Sequence, residues 1–201
     1  PLKPEPSAEP VDWPLRSVHC GETLSAYELM NARQLELVIK NVRARHAPLG
    51  AAHAWHVLVE LSDIRDAAGL DESLLRTLEQ ATREGLVEDA IVATSDMQRN
   101  ALWEIRHSVT EANKKEGVGL TTDCAVPVSA VPAFIDRATR AVRAMEPDMD
   151  IAIVGHMGDG NVHFIPMFSF DEWKTRPDAA AQGAALRHCV NEAACELGGT
   201  F

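Results

Sequence analysis

The segment Gly155-His156-Met157-Gly158-Asp159-Gly160-Asn161-Val162-His163-Phe164 constrains this chain more than any other. Asp-Gly between two apolar runs signals a β-hairpin, because both central residues of a type I′ turn need positive φ. With Asp159 and Gly160 at the centre of a two-residue turn, Gly158 opposes Asn161, Met157 opposes Val162 and His156 opposes His163. Opposed residues share a face, with Cβ atoms about 4.5–5.5 Å apart. Two imidazoles so placed can reach one divalent ion at about 2.0–2.1 Å. A turn with an odd number of residues shifts that register and needs a bulge to restore it. The same pair also suits a half-buried sheet, satisfied by ordinary hydrogen bonds. Two imidazoles are an incomplete ligand set, and Asp159 in a turn more naturally binds nearby backbone amides.

Around this hairpin, apolar periodicity alternates between strands and helices. Prolines at 1, 4, 6, 10 and 14 forbid a regular helix at the start and read as an extended linker over residues 1–14. Asn31 with Gln34 opens a helix whose stripe is Leu35, Val38, Ile39 and Val42, running towards Pro48. Residues 55–61 read as a strand. Asp71 caps a helix bearing Leu74, Leu75, Leu78 and Ala81, with Gly85 near its end. Residues 86–94 read as the next strand. Ser95 with Gln98 opens one long helix with Leu102, Ile105, Val109 and Ala112 inward, supported by the Glu111–Lys115 pair and stopped at Gly117. A short strand at 124–128 follows. Ser129 then caps a helix that buries Phe134, Ala138, Val142 and Met145. Strands at 150–156 and 161–168 flank the glycine-rich turn. The last helix starts at Asp178, turns Leu186, Cys189, Val190, Ala193 and Leu197 inward, and closes at Gly198-Gly199. One sheet with helices packed on it, an α+β sandwich, accommodates this order.

Charge and cysteine content narrow the function classes. The 19 Lys plus Arg against 30 Asp plus Glu leave a formal charge of −11. That field repels a long polyanion, so a nucleic-acid partner is a poor expectation, while a local basic pocket for a small anion is not. Cysteines 20, 124, 189 and 195 contain no CxxC pair and read as buried free thiols of a reducing compartment. With no apolar run of 18 residues and no signal peptide, a cytoplasmic location is expected, with peripheral attachment to the inner membrane left open.

A second constellation lies on the long helix. Trp103, Arg106 and Thr110 follow at i, i+3 and i+7. An arginine one turn from a hydroxyl is a natural grip for a carboxylate, since guanidinium offers a two-pronged donor. The alternative is an arginine snorkelling over Trp103. His53 and His56, three apart at a strand start, fall on opposite faces and make no site. No Rossmann fingerprint, Walker loop, nucleophile elbow or HExxH occurs.

The chain resembles the C-terminal, substrate-side domain of FAD-linked oxidases and dehydrogenases of the vanillyl-alcohol-oxidase superfamily. Within it, the likeness is to the branch of D-lactate dehydrogenase, the glycolate oxidase FAD subunit and D-2-hydroxyglutarate dehydrogenase. The segments that carry it are Leu24–Met30, Trp55–Glu60, Leu102–Thr110, Asp123–Pro127, Gly155–His163 and Val190–Gly199. The resemblance implies duplicated ferredoxin-like halves sharing an antiparallel sheet, so that residues 15–201 form a cap domain, truncated at its C-terminus. It implies a divalent metal (Zn, Mn or Fe) at His156 and His163, and a substrate-carboxylate grip at Arg106 with Thr110 beside it. It also places Gly158, Asp159, Gly160 and Asn161 near FAD, which a separate N-terminal domain of the same polypeptide would hold. The activity implied is oxidation of a D-2-hydroxy acid to the 2-oxo acid, with the isolated fragment inactive and homodimerisation open. A non-enzymatic metal- or small-anion-binding domain is the alternative. Thr121 stands where 2-hydroxyglutarate-type enzymes carry a lysine, and Ile165 where asparagine is frequent. The first loses a cationic anchor and weakens a dicarboxylate reading of the substrate; the second makes that side of the pocket drier and favours a less polar 2-hydroxy acid.

Overall fold

Asn31 sets the first corner of the fold. Its side chain accepts from the Gln34 amide at 3.0 Å and so caps a helix, while its amide group donates to the Ile151 carbonyl at 2.9 Å. The computed structural model describes residues 23–42, 46–63 and 67–201. The proline-rich residues 1–14 and Cys20 lie outside them.

The elements run β1 (Leu24–Asn31), α1 (Ala32–Asn41), β2 (Trp55–Leu61), α2 (Ala67–Arg83), α3 (Asp96–His107), α4 (Val109–Glu116), β3 (Val118–Gly119), β4 (Thr122–Ala125), α5 (Val131–Met145), β5 (Asp150–His156), β6 (Asn161–Phe168), α6 (Phe170–Thr175) and α7 (Ala179–Cys195). All strands join one antiparallel sheet in the order β2-β1-β5-β6-β3, with β4 also on β6. The register of β3 on β6 continues unchanged into β4. The break between them falls opposite Pro166, which has no N–H to donate and only accepts from the Leu120 amide.

Alternation along the strands builds two cores. Tyr27, Leu29, Ile151, Ile153, Val162 and Phe164 face α5 and α7, with Phe134, Val142, Leu186 and Val190 opposite. Met30, Ala152, Val154, Ile165 and Met167 face the other way, onto Leu35 and Val38 of α1, Ile105 of α3, and Val109 and Ala112 of α4. The fold is therefore α+β with helices on both sheet faces.

The duplicated ferredoxin-like halves are not displayed. The run β4–α5–β5 is a split βαβ, since β6 lies between β4 and β5 and is antiparallel to both. The run β1–α1–β2 is different, because β1 and β2 are direct antiparallel neighbours. The two halves do not repeat.

Several local expectations are corrected. Residues 86–94 are not a strand: Gly85 turns at φ 73°, the Leu86 and Val87 amides bond back to Ala81, and the acids beyond face His53. The long helix breaks at Ser108, whose hydroxyl donates to the Glu104 carbonyl at 2.6 Å and competes with the helical bonds there. Ser129 lies within a 3-10 turn, so α5 starts at Val131 without a side-chain cap, and Met145 at its end is exposed. Asp71 sits inside α2 rather than ahead of it, and α1 ends at Asn41, short of Pro48. Cys124 is buried, but Cys195 is exposed. Strand β1, which carries no clean alternation, was not legible from periodicity.

Candidate functional site

The hairpin turn is four residues long, Met157–Gly160, not two. His156 pairs with Asn161, Val154 with His163 and Gly155 with Val162, so His156 does not oppose His163. Two observations explain the longer turn. The Met157 side chain is buried and its amide bonds the Tyr27 carbonyl, while Gly160 takes φ 77° and its carbonyl accepts from Val126. The strands therefore slip by an even number, which preserves the face each side chain points to. His156 and His163 still meet, as diagonal neighbours with ring centroids 5.7 Å apart and planes at 80°.

Both rings project from the sheet face that packs on α3 and α4, into a cleft of about 560 Å3. The cleft is lined by Arg106, Thr110, Trp103 and Lys114 from the helices, and by Glu28, Thr121 and Ile165 from the sheet. The helix line Trp103–Arg106–Thr110 thus meets the two histidines in one place. Gly158, Asp159, Gly160 and Asn161 do not line it. Gly158 and Asp159 are exposed at the hairpin tip, the Asp159 carboxylate accepts from the Asn161 amide, and the Asn161 side chain donates to Asp123 at 2.7 Å.

The centre of the cleft wall is a residue whose role periodicity did not disclose. Glu28 is 9% exposed. Its carboxylate accepts from Arg106 Nε at 2.8 Å and lies 2.9 Å from His156 Nδ1. Arg106 Nη2 in turn lies 3.2 Å from His156 Nε2. One consistent proton arrangement satisfies all three contacts: Nδ1–H donates to Glu28 and Nε2 accepts from Arg106. Arg106 therefore does not snorkel over Trp103. Trp103 stacks on His107 at 5.3 Å and donates to Glu60 at 3.1 Å. The available signal for Glu28 was an acid inside the apolar run Ala26-Tyr-Glu-Leu-Met30, where a buried charge requires a partner.

His163 Nδ1 lies 3.6 Å from Asp123 Oδ1. Burial pushes the His163 imidazole below its ordinary value, against the opposing pull of Asp123. It is thus neutral at neutral pH, the form in which an imidazole ligates metal. In donor type the pair suits a divalent ion, and the Glu28 carboxylate at His156 Nδ1 is a partner of the kind that orients a ligating histidine, whereas Asp123 lies beyond hydrogen-bond distance of His163. Among the described residues, however, no three His, Cys, Asp or Glu side chains are grouped to hold an ion.

His53 and His56 also depart from expectation. His53 precedes β2, so strand alternation does not separate the pair, and their rings stand edge to face at 6.1 Å. His53 Nδ1 lies 3.0 Å from Glu88. No helix among the described residues is long and apolar enough to cross a membrane.

Comparison with known proteins identifies the family of the chain. Over 166 residues the chain is 29% identical to a D-2-hydroxyglutarate dehydrogenase of Xanthomonas citri, covering 83% of this chain and 32% of that protein. It is 36% identical over 146 residues to the mitochondrial D-2-hydroxyglutarate dehydrogenase of Rattus norvegicus, covering 71% of this chain and 26% of that protein. A Schizosaccharomyces pombe protein with the provisional name of a mitochondrial D-lactate dehydrogenase is 28% identical over 164 residues, 77% of this chain and 31% of that protein. The chain thus spans no more than about a third of the length of these relatives. The match to the FAD linked oxidases, C-terminal domain family runs over residues 16–201, so the chain that builds this cleft belongs to that family.

Proposed function

We propose that this chain is the substrate-side domain of a flavin-dependent oxidoreductase that converts a D-2-hydroxy acid to the 2-oxo acid. The observation that carries the reading is the convergence of Arg106, Thr110, His156 and His163 on one cleft, organised by the Glu28 carboxylate.

Arg106 binds the substrate carboxylate. Glu28 occupies Nε and His156 faces Nη2, so Nη1, with no partner among the described residues, is the donor left for it. Thr110 adds a hydroxyl one helical turn away. Glu28 fixes the planes of both the guanidinium and the imidazole, which pre-sets the cleft for an oriented substrate. His156 and His163 are the residues that would hold a divalent ion of the Zn, Mn or Fe class, with a further ligand from outside the described residues; His156 would ligate through Nε2, exchanging its contact with Arg106 Nη2 for the ion. A bound flavin would supply hydride acceptance, and a bound ion would supply charge withdrawal at the substrate hydroxyl. The hydroxyl proton leaves to a base outside the described residues.

An FAD-binding domain of the same polypeptide would hold the flavin, with residues 1–14 as its connection and the Gly158–Asn161 tip as a contact. On this reading residues 15–201 are a cap domain that is inactive alone, in a cytoplasmic protein with a homodimer open to test. The test uses a polypeptide that carries this domain together with the FAD-binding domain. Anaerobic addition of D-2-hydroxy acids should bleach the flavin absorbance, and Arg106→Ala and His156→Ala should abolish the bleaching while the flavin stays bound. A flavin that no D-2-hydroxy acid reduces would refute the proposal.

A further inference from the structure

Resting on that reading of the cleft, we propose that Lys114 forms a second anion subsite and that the substrate carries a second acidic group, remote from its 2-hydroxy-carboxylate end. The cleft lining contains one carboxylate, Glu28, and two fixed cations, Arg106 and Lys114. Glu28 balances the charge of Arg106 at 2.8 Å, while Arg106 Nη1 stays available as a donor. Lys114 has no hydrogen-bond or ion-pair partner among the described residues. Its neighbour Lys115 shows the contrast: its Nζ donates to Glu111 at 2.6 Å and to the Asn41 carbonyl at 3.1 Å. In a chain of formal charge −11, an exposed cation at the cleft with no partner among the described residues is a local reversal of sign.

Its position suits the role. Lys114 follows Thr110 by one turn of α4, about 6 Å along the axis, on the side away from Arg106. A molecule held by Arg106 and Thr110 at one end therefore extends towards Lys114. Across the cleft, Thr121 and Ile165 are register neighbours on β4's approach and β6, and they supply a hydroxyl and apolar surface without charge. Thr121, which argues against a dicarboxylate, and Ile165, which favours a less polar acid, both belong to the sheet wall. The helix wall supplies a cation instead.

The experiment compares D-2-hydroxyglutarate with D-lactate on the FAD-containing polypeptide, wild type against Lys114→Gln and Lys114→Arg. The ratio of kcat/KM for the diacid over the monoacid should fall about tenfold in Lys114→Gln, the factor expected for one charge-assisted hydrogen bond, through KM for the diacid. Lys114→Arg should restore most of it. An unmoved ratio overturns the subsite. If neither acid is oxidised, the proposed activity fails, and the subsite is then judged by calorimetric titration with 2-oxoglutarate and pyruvate. A diacid preference present in the wild type and absent in Lys114→Gln sustains it, and equal preference in both overturns it.

Discussion

Glu116 closes the junction between α4, one wall of the cleft, and α1 behind it, and removing its charge should loosen that junction in a pH-dependent way. Its carboxylate accepts from Lys40 at 2.8 and 2.9 Å, from the Asn41 side chain at 3.0 Å and from Arg33 at 3.1 Å. Arg33 simultaneously grips Asp150 with Nε at 2.8 and 2.9 Å, so α4, α1 and β5 are tied at one point. The hydrogen bonds from Asn41 and Lys40 hold the Glu116 carboxyl at about 2, down from 4.5. Taken whole, that depression corresponds to a ceiling of roughly 3 kcal/mol. Lys40 is 62% exposed, so water screens its share, and about 1–2 kcal/mol is the expected contribution. A depressed carboxyl stabilises the fold fully above its unfolded value and loses that effect as pH falls towards its folded one. Urea unfolding at pH 7 should therefore show Glu116→Gln less stable than wild type by about 1–2 kcal/mol. Between pH 5 and pH 3 the gap should narrow. A gap of the same size at pH 7 and pH 3 would refute the electrostatic account, and no gap at pH 7 would show the junction to be idle.

Glu28→Gln removes the charge that Arg106 faces in a nearly buried setting, so unfolding free energy should drop by about 2–4 kcal/mol in urea titration; a loss under 0.5 kcal/mol would show that solvent reaches the pair. Gly160→Ala should cost about 3 kcal/mol or more in thermal unfolding, because the added Cβ would sit 2.0 Å from the Val126 carbonyl oxygen at φ 77°. A fully stable variant would mean that the 126–128 segment moves away at no cost. His56 is held below its ordinary value by burial, with the neighbouring His53 adding to the effect. The unfolded chain therefore takes up more protons there, and stability should decline as pH falls through about 6.5 towards 5. His56→Gln should flatten that decline in unfolding measured across the same range, and an unchanged slope would assign it to other groups.

Much of the cleft was legible because it depends on parity. Side chains alternate strictly along a strand, so the odd separation of His156 and His163 around an even turn puts both on one face whether the turn holds two residues or four. In the same way Trp103, Arg106 and Thr110 share a helix side through their spacing alone, and the bend at Ser108 left all three on the cleft. The turn length itself was not legible. It was set by long-range bonds, Met157 to Tyr27 on β1 and Gly160 to Val126, which no local propensity reports. The same limit applied at 86–94, where an apolar run with strand character instead wraps the end of α2.

Linear order along the chain thus determined which side chains could point together, since period and parity are local properties of a strand or helix. Only the tertiary structure decided which of them touch. It brought Glu28 from a strand more than seventy residues away onto Arg106, and left Lys114 without a partner among the described residues. Pairwise charge compensation depends on distance in space, and that distance exists only once the sheet has assembled.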